Sequence, residues 1–240
     1  MKIDIVSVQP KMFEGFLNES IVARAQAKGA CDLHIYNLRD FTHDKHKKVD
    51  DKPFGGGPGM LMMCGPWFEV IEHLCSKVKG DGEGQDQGQG EERRVRVIMT
   101  SPAGKKFTQR DAEELAKEDH LVFMCGHYEG FDARIETLVT DKFSIGDFVL
   151  TGGELPAAVM TDSIVRLLPG VLGGGIAATQ SESFGEDGLL ECPQYTQPQD
   201  FRGMKVPEVL LSGDHKKIEA WRKAEALKLT KAVRPDMIDA

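Results

Sequence analysis

No Cys-x-x-Cys pair occurs anywhere in the 240 residues, and the five cysteines (Cys31, Cys64, Cys75, Cys125 and Cys192) are odd in number and widely spaced. That excludes a disulfide framework and a cysteine zinc site, and makes a reducing cytoplasm the expected compartment. No apolar run approaches the length that crosses a bilayer, so no membrane partner is expected. The opening Met1-Lys2-Ile3-Asp4-Ile5-Val6 carries an acid where an export signal is apolar. Both common nucleotide fingerprints are missing. No Gly-x-Gly-x-x-Gly follows a strand and opens a helix, and no Gly-x4-Gly-Lys-Ser/Thr is present. A Rossmann enzyme and a P-loop NTPase lose support together. His43 and His46 lie three apart, but such pairs are commonly surface histidines, and no metal site is assigned.

Basic charge is also short overall. The net charge is −8, against the basic footprint usual for nucleic-acid binders. The deficit is uneven. Lys205 to Arg234 holds eight basic and four acidic residues, a local balance of +4, and Lys45-His46-Lys47-Lys48 forms a second basic run. Local potential, not net charge, governs such contacts.

What is present is an alternation of strand and helix. Strands are expected at Ile3–Val8, Leu33–Tyr36, Val95–Thr100 and Leu121–Met124, with Phe148-Val149-Leu150 strand-like. Helices are expected at Phe13–Lys28 (ending at Gly29), Pro66–Val78, Gln109–Lys117, Asp132–Thr140, Pro156–Leu168 and, in a small C-terminal domain, Asp214–Lys228. This pattern predicts an α/β domain with a mostly parallel sheet. Residues 79–94 contain only Gly, Gln and charged residues, and read as a disordered surface loop. Residues 170–188, with Gly173-Gly174-Gly175, read as a mobile linker. The expected division is 1–169, linker 170–188, and 189–240.

Three glycine-bearing loops each follow an expected strand: Ser101–Gly104, Cys125–Gly130 and Thr151–Pro156. Ligands in open α/β sheets bind beyond the carboxyl ends of strands. Glycine there lets backbone groups approach a ligand closely. Any one loop could be a tight turn; three together suggest one small-molecule site. Gly55-Gly56-Gly57-Pro58-Gly59, beside the basic run, suits phosphate or nucleotide contact.

Several long strings carry a resemblance: RDFTHDKHKKVDDKPFGGGPGMLMM (39–63), CGHYEGFDAR (125–134), SIGDFVLTGGELPA (144–157), DSIVRLLPGVLG (162–173), LLECPQYTQP (189–198) and VPEVLLSGDH (206–215). Together they make the chain resemble the bacterial tRNA (guanine-N1-)-methyltransferases over nearly its whole length. The resemblance implies a trefoil-knotted, parallel-sheet methyltransferase domain followed by a small, mainly helical tRNA-binding domain. It also implies a homodimer with active sites at the subunit interface. The methyl donor would be S-adenosylmethionine, and Mg²⁺ is associated with the family. Carried over by position, the donor pocket comprises Thr100, Ser101, Pro102, Gly126, Tyr128, Glu129, Gly130, Ile145, Gly146, Asp147, Phe148, Val149, Leu150, Gly152 and Gly153.

The implied substrate is the tRNA guanosine just 3′ of the anticodon, position 37. Its N1 must lose a proton while negative charge grows on O6, so a base and a cation are needed. The family's arginine maps to Arg166. Its aspartate base, followed by Ser-Phe, maps to Glu182, a glutamate one methylene longer. Arg24, His46, Asp50 and Gly55 map to tRNA-facing positions. Other readings are a knotted methyltransferase acting on another RNA or tRNA position, an RNA-binding protein without catalysis, and a hydrolase built on the 55–59 loop.

Overall fold

Strands buried almost throughout belong to sheets covered on both faces. In the computed structural model, which describes residues 1–80, 95–173 and 182–238, β1 (Lys2–Ser7) and β6 (His120–Met124) are of this kind. β2 (Asp32–Asn37), β5 (Val95–Lys106) and β7 (Asp141–Ser144) complete a five-stranded sheet of order β2-β1-β6-β5-β7, parallel throughout. Side chains alternate between its faces. Ile3, Ile5, Ile98, Leu121 and Phe123 share one core with α2 (Ser20–Ala27), α4 (Gln109–Leu115) and α5 (Glu154–Val165). Val6, Val97, Met99, Val122 and Met124 meet Trp67, Val70 and Leu74 of α3 (Cys64–Gly80) in the other. A short hairpin, β3 (Asp50–Asp51) with β4 (Leu61–Met62), lies between β2 and α3 in the chain.

The chain divides into two units, Met1–Leu172 and Gly173–Ala240, a boundary inside the stretch read as a linker. The second unit holds a β8 (Asp200–Phe201)–β9 (Met204–Lys205) hairpin, α6 (Glu208–Leu211) and α7 (His215–Val233). Asp214 caps α7 by accepting from Lys217 N at 3.2 Å. The region read as a disordered loop falls outside the described residues from 81 to 94, and the linker does so from 174 to 181.

Several expectations need correction. Phe13–Lys28 is not one helix. A 3₁₀ turn (Pro10–Phe13) leads into α1 (Glu14–Asn18), and the chain breaks at Glu19 before α2. Polar side chains satisfy the carbonyls exposed by the break: Asn18 Nδ2 donates to Glu14 O at 2.6 Å and Gln26 Nε2 to Leu17 O at 2.8 Å. Asp132–Thr140 holds a 3₁₀ helix, Ala133–Leu138, in place of an α-helix. The strand after it is β7, which the sequence reading lacked. Phe148–Leu150 is not a strand; all three side chains are exposed, Val149 at 83 %. Residues 101–104 are not a loop beyond a strand but a bulge within β5, where pairing with β7 shifts between Thr100 and Lys105.

At the amino end of the sheet, Asp4 is fully buried among apolar side chains. His120 Nε2 lies 2.8 Å from its Oδ2 and Lys2 Nζ 2.9 Å from the same oxygen. Burial pushes the carboxyl pKa up, but the hydrogen bonds from His120 and Lys2 outweigh it and hold Asp4 below the ordinary carboxylate range. A lowered folded pKa stabilises the protein above the unfolded value, near ~4. That contribution disappears as pH falls through the folded value. Asp4→Asn is therefore expected to cost about 3 kcal/mol at pH 7. The gap from the parent protein should close at pH 3 and below. Urea titrations at several pH values check this; a gap independent of pH would show that the charge contributes nothing.

Candidate active site

Two of the glycine loops and the β5 bulge that replaces the third meet at one point. β6 ends at Met124, and the chain turns through Gly126–Gly130 with Tyr128 at φ 57° and Gly130 at φ 107°. The Thr151–Gly153 segment crosses this turn on its way into α5. Gly153 N donates to Gly126 O at 2.7 Å, and Gly152 bridges His127. Thr100 lies beneath, its hydroxyl donating to Met124 O at 3.1 Å. A Cβ on Gly153 would stand 2.8 Å from Gly126 N and 2.9 Å from Cys125 Cα, and would collide with Thr100 Oγ1. Only glycine fits there. Gly126 is similarly confined, with the Phe131 ring 2.7 Å from where a Cβ would stand.

The junction walls a cavity of about 360 Å³, within the range of small-molecule sites. It brings together every residue expected in the donor pocket except Asp147, which is exposed nearby and does not line it. Met99, His127, Phe131, Glu136, Phe143, Ser144, Thr151 and Pro156 also line it and were not singled out from the sequence. Most of them are immediate neighbours of the motif residues, and that adjacency was the available signal.

Glu154 was also missed. It is buried at the first turn of α5, where a negative charge is favoured by the helix dipole. It accepts from Ser7 Oγ at 2.7 Å. Its other oxygen packs against Gly152, where a Cβ would clash with it and approach His127 Nδ1 to 2.9 Å. Cys125 is no nucleophile: burial, and then the charge of Glu154, push its thiol well above the ordinary value. Just past the turn, Asp132 accepts from Arg134 N and Nε, each at 2.9 Å, and from Nη2 at 2.7 Å. These bonds hold its carboxyl well below the usual carboxylate range.

The other expected residues are dispersed. Arg166 caps the carboxyl end of α5 in the first unit, its N–H donating to Asp162 O at 3.1 Å. Glu182 belongs to the second unit, where it opens a turn closed by Gly185 N donating to Glu182 O at 3.0 Å. Arg24 is exposed on α2. His46, Asp50 and Gly55 follow one another along the segment that enters the β3–β4 hairpin, with Gly55 at φ 86°. The second unit has a larger cavity, about 550 Å³, lined in part by Glu182, Glu191, His215, Glu219, Arg222 and Lys223. Apolar residues such as Leu189, Leu190 and Ile218 line it as well, and none of the glycine-bearing segments of the first unit contributes. Among the described residues, no three His, Cys, Asp or Glu side chains cluster closely enough to hold a metal, and no helix is long and apolar enough to cross a membrane.

The family model for tRNA (Guanine-1)-methyltransferase TrmD matches residues 1–240. The chain belongs to that family. Similar relatives include a tRNA (guanine-N(1)-)-methyltransferase of Bacillus pumilus (strain SAFR-032), 52 % identical over all of this chain and 93 % of the relative. One of the same name from Bacillus cereus (strain B4264) is 52 % identical over all of this chain and 92 % of the relative. A third, from Bacillus anthracis (strain A0248), matches to the same extent. The glycine junction brings backbone of two loops to the wall of the first unit's cavity.

Gly153→Ala is expected to destabilise the protein by about 1–3 kcal/mol, because backbone atoms must move. It should also abolish binding of a small ligand in the cavity. Gly15→Ala is the control. Gly15 sits in α1 with nothing within 4 Å of its missing Cβ, so alanine should raise stability by up to ~1 kcal/mol. Thermal melts and calorimetric titration of both variants check the contrast.

Proposed function

We propose that this protein transfers a methyl group from S-adenosylmethionine to N1 of the tRNA guanosine 3′ of the anticodon, position 37. The observation that carries the reading is the glycine junction: a chain of the tRNA (Guanine-1)-methyltransferase family has its three glycine-bearing segments converging on one cavity. A cleft of about 360 Å³ walled by backbone, hydroxyls and apolar side chains suits an adenosyl group. The turns at Gly126–Gly130 and Ile145–Leu150 would hold its base and sugar, with Thr100, Ser101 and Pro102 below. Bound there, S-adenosylmethionine supplies an electrophilic methyl on a sulfonium.

The remaining steps fall to side chains of the protein. Glu182 takes the proton from guanine N1, leaving that nitrogen's lone pair for the methyl. Arg166 meets the negative charge that spreads to O6. The base and the cation lie in different units of the chain. A substrate that engages both units would assemble the site only when it is the right one. The +4 stretch from Lys205 to Arg234 supplies backbone attraction for RNA.

The same proposal includes a knotted sheet domain, a homodimer and a cytoplasmic location. Support for the dimer comes from apolar side chains left in water: Phe148, Val149 and Leu150 at the cavity rim, and Leu155 and Val159 four apart on α5. Mg²⁺ belongs to the proposal through the family association alone, and turnover that survives chelation by EDTA would remove it.

The test uses labelled S-adenosylmethionine and two tRNA transcripts, one with guanosine beside the anticodon and one with adenosine. Label is expected in the first only. Label in both would keep the methyltransferase and discard the position. Glu182→Gln and Arg166→Ala should each lower turnover of the first transcript by roughly 10²–10⁴-fold while donor binding stays intact. Unchanged turnover in either variant would remove that residue from the mechanism.

A further inference from the structure

The β3–β4 hairpin carries a side chain that the fold does not use. Phe54, near the start of the loop joining Asp51 to Leu61, is 99 % exposed. A lone exposed apolar residue is ordinary. This one sits in an unusual frame. Gly55, Gly56, Gly57 and Gly59 all adopt positive φ, at 86°, 79°, 125° and 78°. Apart from Gly59, none of these has an atom within 4 Å of where a Cβ would stand, so their shape serves no internal packing.

The base of the hairpin is sewn to the cavity wall. Glu129 N donates to Met60 O at 3.0 Å, and Met62 N donates to Gly130 O at 2.9 Å. Gly59 packs on the Glu129 side chain. The ring therefore projects from a loop anchored beside the pocket. Charges of both signs precede it in the chain, Lys45, Lys47, Lys48 and Lys52 against Asp40, Asp44, Asp50 and Asp51. Lys45, Lys48 and Lys52 are exposed, and among the described residues no carboxylate pairs with them. Three of these acids hold local partners, Asp51 by accepting from Lys52 N at 2.8 Å. Asp40 pairs with Lys47 at 3.1 Å, and Asp44 accepts from His46 N and Lys48 N, each at 2.8 Å.

An apolar partner surface would want an apolar patch, and Phe54 is a single ring among glycines and charged residues. An aromatic face with flanking cations fits a single-stranded nucleic acid, whose bases stack while its phosphates meet the positive charge. We infer that Phe54 is a stacking platform for an unpaired base of the RNA substrate, held next to the pocket, with Lys45, Lys48 and Lys52 on the flanking phosphates. The inference rests on the RNA-methyltransferase reading above.

The test is binding of an anticodon stem-loop carrying 2-aminopurine on either side of the target guanosine, with methylation measured in parallel. The parent protein should quench the probe at one of these positions. Phe54→Ala should abolish that quenching and lower kcat/KM for tRNA roughly 10-fold or more. S-adenosylmethionine affinity and sedimentation should not change. Phe54→Trp should restore both readouts, and Phe54→Leu should not, because an aliphatic chain offers no ring face. Full activity in Phe54→Leu, or a changed oligomeric state in Phe54→Ala, would overturn the platform. Phe54-dependent quenching by a protein that methylates nothing would support the platform and sink the reading on which it rests.

Discussion

The contact between Gly153 and Gly126 is the constraint around which the site is organised. A 2.7 Å backbone hydrogen bond joins two loops that arise from β6 and lead into α5, with the Thr100 side chain directly beneath. A Cβ on either residue would collide with its neighbours, so the loops can lie this way only with glycine at both positions. Once they do, the carboxyl ends of β5 and β6 and the amino end of α5 must converge, and the space left among them is the cavity. Glu154 braces the junction from below through Ser7, tying the α5 entrance to the end of β1. A parallel sheet buried on both faces supplies the rigidity that keeps these ends in register.

In the proposed mechanism the two units divide the chemistry. The first offers the cavity, Arg166 and the hairpin of Phe54. The second offers Glu182, held in a hydrogen-bonded turn, and a long basic helix. Within the second unit, Phe184 N donates to Leu189 O at 2.9 Å and Glu191 N donates to Ser183 Oγ at 2.9 Å. Glu182 thus sits at the edge of an organised segment, so the proposed general base is presented by defined local structure. A buried ion-paired cluster, Asp4 with His120 and Lys2, lies at the opposite end of the sheet from the cavity.

Much of this was legible in the residues. Continuous apolar runs such as Leu121–Met124 announce strands buried on both faces, and the glycine loops after them line one cavity. The failures have physical causes. β7 reads Asp-Lys-Phe-Ser, with Phe143 its single apolar member, so periodicity passes over it. Phe148–Leu150 reads as a strand because it is apolar, yet its side chains face the rim and solvent. The break at Glu19 depends on amide side chains capping carbonyls, which no apolar pattern records. Glu154 looks like any helix-opening acid; its burial depends on Ser7, a partner 147 residues away.

The most direct measurement of the central claim is ultraviolet crosslinking of labelled S-adenosylmethionine to the intact protein, followed by peptide mapping. The account places label in peptides containing Gly126–Gly130 or Ile145–Gly153, the walls of the glycine junction. Label confined to residues 182–238, around the larger charged cavity, would contradict it.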